Sequence, residues 1–595
     1  MQFRFLPPKS VRPKGWLLRQ LKQQGEGLNG NLDKVWRDVR ESKWLGGACE
    51  GWERLPYFLD GFIPLAYLLD DKDKQARAKR YIDCLLEGQD ETGCFYPKGD
   101  AEKKNGDIWS LFLILKVLTV YADCSGDERI EESVYRGLAF LDKYIDQNTV
   151  FNWAAARWFE CIIPILWIYE RRKEAWLVKF AKRLRLFGLD YGVAMQLWDG
   201  AENRWNFETH VVNIAMALKS EALYCEITGE QPTGLEERMI ETLFERHGTA
   251  YSHFTGDECL SGNSPSQGSE LCGVVEAMYS YEWLTALTGK AKWGDFLESL
   301  AFNALPASVS ADMWTHQYDQ QVNQIACVDF ENPIFRTNGG QSNLFGLEPN
   351  FGCCTANFGQ GFPKLALSAY QRAGDELVVV SPLPAEIAFG ESKITCASEY
   401  PFRNRFTLSA EKAVGVRIRI PDWASPVCSA AHETKCGWLH MTLNAGEPVT
   451  VEFRAEPRIC ARPEGRVCVK YGALLFALPV AGKIEMREYV KDGVERKFPY
   501  CDYTITPVGE WRYALAGEKF ETEECAYDLP FDRERPPVKI KAEFAPVEWE
   551  FEAGHCMVAA TKAGSVRRGE NVTLSMQPYG ATYLRIAETA FVKEK

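Results

Sequence analysis

The sequence contains no run of 18 or more apolar residues, and its first segment, MQFRFLPPK, lacks the apolar stretch of a secretion signal. These absences argue against a membrane span and against export, so we expect a cytoplasmic protein. Clusters of Lys and Arg are also missing, and the net charge of −13 repels phosphate backbones. Nucleic acids and anionic membranes are therefore not expected as partners.

The motifs of several enzyme classes are missing as well. The chain has no P-loop, no GxGxxG ahead of a helix, no HExxH and no GxSxG. The chain therefore lacks the residues that are required for nucleotide hydrolysis, dinucleotide redox chemistry, zincin proteolysis and serine esterase chemistry. What remains is a chemistry without a common short motif, or one directed at carbohydrates.

The composition that is present is that of a large globular protein. Hydrophobic residues make up 46% of the 595 residues and aromatic residues 13%, so the chain has ample apolar surface for several domains. The 19 cysteines are an odd number spread over the whole length. In a reducing compartment we expect them to be free core thiols or metal ligands rather than a disulfide framework.

The first two thirds of the chain carry a helical pattern. Apolar residues recur at helical spacing from about Leu17 to Tyr370, for example over 108–121, 157–169, 211–227 and 270–287. Gly126, Gly229 and Gly289 stand where a helix ends in a left-handed residue. We predict helical hairpins over 1–372, ten to twelve helices with no strands between them, closed into a toroid. An open superhelix is the alternative.

The rest of the chain carries a strand pattern. Short alternating or β-branched runs follow Gly374, separated by Gly, Pro and Asp turns, and predict a β-sandwich over 373–530. The predicted strands are 376–380, 403–408, 414–420, 438–443, 449–453 and 467–469. After the charged segment 532–537, four more runs at 538–544, 556–560, 572–576 and 582–586 predict a β region over 531–595. This region is either a second, smaller sandwich or the completion of the first.

Two segments contain candidate metal ligands. Glu270 and Cys272 precede and open an apolar helix, and Cys353 and Cys354 lie in a small-residue turn before another helix. Three thiolates and a carboxylate would satisfy the tetrahedral preference of zinc. In a chain with 19 cysteines, however, an adjacent pair also arises readily by chance, and such cysteines then serve packing.

An acidic loop and several rings are candidates for sugar chemistry. Glu258, on the glycine-containing loop that leads to Glu270, could donate a proton to a glycosidic oxygen, or could be a solvated loop residue. Flat rings and planar polar groups suit a carbohydrate cleft, although in a helical toroid most of them would serve packing. The candidates for substrate contact are Trp109, Trp153, Arg157, His210, His316 and Tyr318.

At these residues the chain resembles glycoside hydrolase family 127, the β-L-arabinofuranosidase-like proteins. The matching segments are WLGGACEGWERLPYFLDG at 44–61, ELC at 270–272, QYDQQVNQ at 317–324, GCCTANFGQG at 352–361 and PYGAT at 578–582. They follow the order of the family and span nearly the whole chain. The resemblance implies a multidomain α-then-β architecture, in which an (α/α)6 toroid is followed by β-sandwich domains.

The resemblance also implies roles for individual residues. It implies a zinc ion held by Glu270, Cys272, Cys353 and Cys354, with Cys353 as the nucleophile and Glu258 as the acid/base. The implied reaction is retaining hydrolysis of β-L-arabinofuranosides or a related sugar in a short oligosaccharide or glycoconjugate. One family segment that carries a histidine near the sugar corresponds here to 107–110, DIWS, which has none, so the glycone stays open.

Two other interpretations are compatible with the sequence. The first is a catalytically silent carbohydrate-binding protein that uses zinc structurally. The second is an (α/α)6 polysaccharide lyase with Tyr318 and His316 as its base cluster, which would leave the three cysteines without a role. A homodimer formed through a β-domain also stays open.

Overall fold

The computed structural model describes residues 1–97, 106–549, 551–552, 557–558 and 566–592. Helices fill the first part and strands the second, as predicted. The α-helices are Gly15–Glu26, Leu28–Val35, Arg37–Arg40, Arg54–Leu68, Lys72–Glu87, Trp109–Ser125, Arg129–Gln147, Asn152–Ala156, Ile162–Arg172, Ala175–Phe187, Tyr191–Ala194, Val211–Ala217, Ser220–Thr228, Leu235–His247, Leu271–Thr288, Lys292–Ser299, Leu305–Ala307, Cys353–Asn357 and Gly361–Ser368.

Six inner helical segments form a closed ring. Each contacts the next around the ring, and the last, Gly361–Ser368, contacts both Leu271–Thr288 and the first, Arg54–Leu68. The other contacts of the ring link Arg54–Leu68, Trp109–Ser125, 158–172, 211–228 and Leu271–Thr288 in that order. The toroid is therefore closed, and the open superhelix is wrong.

The inner and outer helices differ in burial because they face different surroundings. Leu271–Thr288 is buried on nearly all sides, as an inner helix must be. Arg129–Gln147 buries one stripe and exposes the opposite face, which is the pattern of an outer helix. The predicted turn residues Gly126, Gly229 and Gly289 are confirmed, since each ends its helix with a positive φ of 69–77°.

Two six-stranded sheets follow the toroid and share one hydrophobic core. Their strands alternate between buried and more exposed residues, as sheets with one packed face do. The first contains Arg4–Phe5, Tyr370–Ala373, Glu376–Val379, Val414–Arg419, Trp438–Leu443 and Glu433–Lys435. The second contains Ser425–Cys428, Val449–Arg454, Arg405–Ala410, Ser392–Ser398, Ala385–Phe389 and Val11–Pro13. Two short N-terminal strands thus belong to these sheets rather than to the helical part.

A third, nine-stranded sheet runs across the predicted boundary at 530. Val538–Pro546 pairs with both Tyr513–Leu515 and Glu521–Glu524 from the other side of that boundary. The remaining strands are Arg458–Ala461, Arg466–Tyr471, Leu474–Val480, Val572–Pro578, Leu584–Ile586 and Thr589–Ala590. Of the predicted strand 556–560, residues 556, 559 and 560 lie outside the described residues.

Four pairs of short strands complete the structure. They are Gly268–Glu270 with Asp319–Gln321, Gly482–Arg487 with Asp502–Pro507, Tyr489–Lys491 with Val494–Arg496, and Phe551–Glu552 with Met557–Val558. The first pair lies within the helical part, so the expectation of no strands there is wrong. Of the helices in the described ranges, none combines the length and the apolar character that a membrane span requires.

A buried arginine joins the first sheet to the toroid. Arg419 forms ion pairs with Asp295 and, at 2.5 Å, with Glu298, and its Nε donates to the Val380 carbonyl at 2.8 Å. A Cβ on Gly294 would lie 2.3 Å from the Arg419 Nε, so only glycine allows this approach. The contact therefore depends on residues of both domains.

Replacing Arg419 by alanine is expected to lower the free energy of unfolding by about 3–5 kcal/mol, because the buried carboxylate of Glu298 and the partly buried one of Asp295 lose their partner. The measurement is urea unfolding followed by circular dichroism. The control is Arg417→Ala on the same strand, whose partly exposed, solvent-screened pair with Glu376 contributes about 0–1 kcal/mol. Equal losses in the two variants would contradict the assigned role of Arg419.

Candidate metal centre and adjoining cleft

The four predicted metal ligands come together at the starts of two helices. Glu270 ends a strand and precedes Leu271–Thr288, Cys272 lies in its first turn, and Cys353 and Cys354 open Cys353–Asn357. One ligand atom from each of the four residues lies within 4.8 Å of the others. Sequence positions more than 80 residues apart therefore form one compact donor set.

Backbone hydrogen bonds hold the two halves of this cluster in place. The strand Gly268–Glu270 pairs with Asp319–Gln321, and the Leu271 N–H donates to the Tyr318 carbonyl at 2.9 Å. The Cys272 N–H donates to the Cys354 sulfur at 3.3 Å. The unpredicted strand pair thus fixes the position of Glu270 and places Tyr318 beside it.

The cluster keeps its charge mainly on one sulfur. Burial alone would raise the pKa of Cys353, but hydrogen bonds from Cys272, Cys354 and Tyr318 outweigh it and hold the pKa well below its usual range. Burial raises the pKa values of Cys272 and Cys354 well above normal. Burial and the nearby Glu258 also raise the pKa of Glu270.

The donor set fits a metal ion. Both Cys353 Sγ and Cys354 Sγ lie 3.9 Å from Glu270 Oε1, and Glu270 Oε2 is buried without a hydrogen-bond partner among the described residues. Three sulfurs and a carboxylate favour a divalent ion that accepts soft ligands. A bound cation would offset the cost of ionising several buried acids together.

Glu258 lies directly beside this cluster in a strained backbone conformation. Its φ of 91° is one that residues other than glycine rarely adopt. Its carboxylate accepts hydrogen bonds from the Tyr318 hydroxyl and from Trp205 Nε1 at 3.2 Å, and lies 3.0 Å from His210 Nε2. The surrounding contacts therefore fix the carboxylate, which excludes the solvated-loop interpretation of this residue.

Tyr318 connects Glu258 to Cys353. Its hydroxyl contacts the Glu258 carboxylate and lies 3.2 Å from Cys353 Sγ. The thiol and the carboxylate are therefore at most about 6 Å apart, which is close to the spacing of paired catalytic groups in retaining glycosidases.

The predicted rings and Arg157 form a wall beside these groups. The Arg157 guanidinium lies over the rings of Trp109 and Trp153, at 4.6 and 4.4 Å from their centres. Arg157 also donates to Asn213 Oδ1 at 2.7 Å, and Trp153 packs edge-on against His210. His210 accepts from the Asn213 N–H at 3.3 Å, so it caps its helix as well as facing Glu258.

His316 has a different setting. It is fully buried, and its Nε2 lies 3.1 Å from the Thr355 hydroxyl and 3.2 Å from the Leu347 carbonyl. Its ring also packs on Phe358. His316 therefore contacts the segment that follows Cys353 and Cys354. Direct substrate contact by His316 stays a prediction.

Sequence reasoning gave no role to three residues of this wall. Glu53 accepts from Trp109 Nε1 at 2.8 Å, and burial raises its pKa to about 7. Asp107 accepts from the backbone N–H groups of Trp109, Trp153 and Ala154 and so fixes the start of two helices. Glu53 stands inside the matching segment 44–61 and Asn213 follows His210 by three residues, but sequence position alone does not show what a side chain contacts.

Comparisons with known proteins agree with this architecture. No family model and no curated protein matches the sequence. Among solved structures, the chain is similar to a GH127 β-arabinofuranosidase (TM-score 0.67, 14% identity, 100% of this chain and 99% of that one). It is also similar to a GH127 β-L-arabinofuranosidase from Geobacillus stearothermophilus T6 (0.68, 15%, 98% and 99%) and to a glycoside hydrolase (0.66, 12%, 100% and 98%).

These similarities extend over the whole length of both chains. At 12–15% identity they show a shared fold. The predicted architecture, a helical toroid followed by β domains, is therefore confirmed, and so is the resemblance at the level of the fold.

Proposed function

We propose that the protein is a zinc-dependent, retaining exo-glycosidase that hydrolyses β-L-arabinofuranosides or a closely related sugar. The observation that carries the proposal is the contact of one hydroxyl, that of Tyr318, with both Cys353 and Glu258 at the edge of a Glu/Cys3 donor set. A nucleophile, a proton donor and a metal-ligand cluster then lie within one small volume. The family whose fold the chain shares supports the sugar class.

In the first step, the Cys353 thiolate attacks the anomeric carbon while protonated Glu258 gives its proton to the leaving oxygen. A carbon–sulfur bond forms as the carbon–oxygen bond breaks. In the second step, the Glu258 carboxylate removes a proton from water, which attacks the same carbon and releases the sulfur. Two inversions give net retention, for which the short distance between thiol and carboxylate is suited.

The remaining residues have positioning roles in this scheme. Tyr318 fixes the distance between thiol and acid, and His210 and Trp205 orient the Glu258 carboxylate. The partly exposed ring of Trp153 supplies a wall for the sugar, whereas Trp109 is fully buried and supports Arg157 from behind. When held by the four ligands, zinc would keep the thiols ionised near neutral pH.

The test is a panel of 4-nitrophenyl furanosides and pyranosides, assayed with reduced, zinc-loaded protein. Release from the β-L-arabinofuranoside would support both the reaction and the sugar. Release from another glycone alone would keep the reaction and change the sugar. No release from any substrate, with zinc bound, would contradict the proposed glycosidase activity and leave the sugar-binding interpretation. Calorimetry with free sugars would then test sugar binding.

Replacing Cys272 by alanine is expected to reduce zinc affinity by more than about 100-fold, since even the loss of a residue that supports a ligand costs about 10–100-fold. Metal content after dialysis and competition with a chelating dye measure the change. The control is Cys327→Ala, a buried thiol outside the four-residue cluster. Full zinc retention by the Cys272 variant would contradict the assigned ligand set.

A further inference from the structure

The opposite end of the toroid contains a cavity of about 360 Å³. The catalytic centre lies at the starts of the inner helices, whereas this cavity lies near their ends. Glu282 follows Glu270 by twelve residues along the same helix, which separates the two by about 18 Å. Aromatic side chains form much of the cavity wall: Phe5, Trp167, Tyr279 and Trp283.

The N-terminal segment closes one side of this cavity. Phe5 packs edge-on against Trp283 with the ring centres 5.3 Å apart, and Arg4 pairs with Glu170 at 2.5 Å. Tyr279 packs edge-on against Trp283 at 6.3 Å. The rings thus form a connected aromatic wall. The volume of the cavity falls in the range of small-molecule pockets, about 300–1,000 Å³.

Below the cavity lies a buried ion network. Lys116 contacts Asp60 at 3.1 Å and Glu160 at 3.4 Å, Lys219 contacts Glu160 at 2.5 Å, and Lys364 contacts Asp60 at 2.6 Å. These five side chains are at most 7% exposed. Because buried charges are stable only when paired, the lysines and acids of such a network should match in number.

Two further buried acids belong to the same interior. Glu276 accepts from Asn357 and from Gln360, both at 3.0 Å, and Gln360 in turn accepts from Lys364 at 2.7 Å. Glu282 follows one and a half turns later and lines the cavity. The network therefore contains four carboxyl groups against three lysines, and one acid lacks a matching cation.

Neither Glu276 nor Glu282 forms an ion pair with a lysine among the described residues, and of the two only Glu282 lines the cavity. Glu282 is 2% exposed, and its Oε1 has no hydrogen-bond partner among the described residues. Burial raises the pKa of Glu282 to about 8. Lys364 and Ser368 oppose this shift. More weakly, Asp60 raises the pKa and Lys219 lowers it. The buried indole nitrogen of Trp283 also lacks a partner among the described residues.

We propose that this cavity is a binding site for a small organic cation, an aromatic or alkyl amine whose ammonium group pairs with Glu282. Aromatic faces attract a cation through their quadrupole, most strongly where water is excluded. Two faces of this cavity already carry a protein cation, since Lys364 Nζ lies 3.7 Å from the centre of the Tyr279 ring and Arg171, paired with Asp123, lies over Trp167. The ring of Trp283, which neither cation covers, is therefore the face for the amine. A buried carboxylate adds the matching charge. The body of the amine lies against the apolar walls, and its head supplies the fourth cation of the network. This site is separate from the proposed glycosidase centre.

Binding also has a proton balance. Near pH 7 Glu282 is largely protonated, and an ammonium group beside it favours the ionised form. Each amine that enters as a cation therefore releases up to about one proton from Glu282 to the buffer. Calorimetry in two buffers with different ionisation enthalpies measures that proton count and needs no variant.

The experiment is titration of the full-length protein with benzylammonium and tetramethylammonium, with benzyl alcohol as the neutral isostere. We expect both cations to bind with proton release, and benzyl alcohol to bind at least tenfold more weakly. Equal binding of the alcohol, binding without proton release, or no binding of either cation at millimolar concentration would overturn the proposal.

A variant series localises the binding. Glu282→Gln keeps the shape of the side chain and should weaken amine binding at least tenfold, and Leu367→Trp should block it by filling the cavity. Glu241→Gln is the control, because Glu241 is an exposed acid on the helix Leu235–His247 and does not line the cavity. Unchanged affinity in the Glu282 and Leu367 variants would place the amine elsewhere and refute the site.

Discussion

Replacing Cys353 by alanine is expected to abolish turnover of every glycoside that the protein cleaves, with a loss of at least about 10⁴-fold in kcat. No other side chain among the described residues combines a sulfur in the cluster with the 3.2 Å contact to Tyr318. The protein also lowers the pKa of this thiol alone among the three, against the effect of burial. Steady-state rates on the best substrate of the panel measure the effect.

Loss of the metal must be separated from loss of the nucleophile in this test. Cys353 and Cys272 both belong to the proposed ligand set, but only Cys353 contacts Tyr318. With zinc supplied in excess, the Cys272→Ala variant should recover part of its activity, whereas Cys353→Ala should recover none. Cys161→Ala removes a buried thiol outside the four-residue cluster and should keep the wild-type rate. A Cys353 variant with near-normal activity would exclude the thiolate mechanism.

Replacing Glu258 by glutamine should reduce kcat/KM for substrates with poor leaving groups by about 10²–10⁴-fold, the usual contribution of a general acid. A glutamine keeps the contacts to Tyr318 and His210 but cannot give up a proton. Activated aryl glycosides need no proton on their leaving oxygen, so their first step should slow much less. Values of kcat/KM, which report the first step, measure this difference across a series of phenols of different acidity.

Two further observations distinguish catalysis from a structural role of Glu258. Azide can attack the intermediate without a base, so it should restore turnover of activated substrates by the glutamine variant. The control is Glu202→Gln, which changes an acid on a neighbouring loop that lacks the contacts of Glu258 to Tyr318 and His210. Its rates should depend on the leaving group as those of the wild type do. A uniform loss across all leaving groups, with no rescue by azide, would show that Glu258 only supports the loop.

The sequence predicts those parts of the structure that leave a local pattern. Helix ends at Gly126, Gly229 and Gly289 follow from the need for a positive φ, and the change from helical to alternating spacing near Gly374 separates the two classes of domain. The clustering of Glu270, Cys272, Cys353 and Cys354 agrees with the Glu-x-Cys and Cys-Cys motifs, while their role as metal ligands stays a prediction. In each case a few neighbouring residues carry the whole signal.

Other parts depend on contacts between distant segments and leave no such pattern. The strand Gly268–Glu270 is three residues long and forms only because Asp319–Gln321 lies beside it. Lys116 stands in an otherwise apolar helix, and its burial follows from Asp60 and Glu160 on two other helices. The pairing across residue 530 likewise joins strands that the turn-rich sequence separates.

The central claim, a covalent sugar on Cys353, can be tested by mixing the Glu258→Gln variant with an activated aryl glycoside that the wild type cleaves. Without a base to activate water, the second step should be slow. We expect a burst of one phenol per protein molecule, a mass increase of one glycosyl unit, and its location on the peptide that contains Cys353. A product of inverted configuration from the wild type, or no adduct and no burst from the variant, would contradict the account.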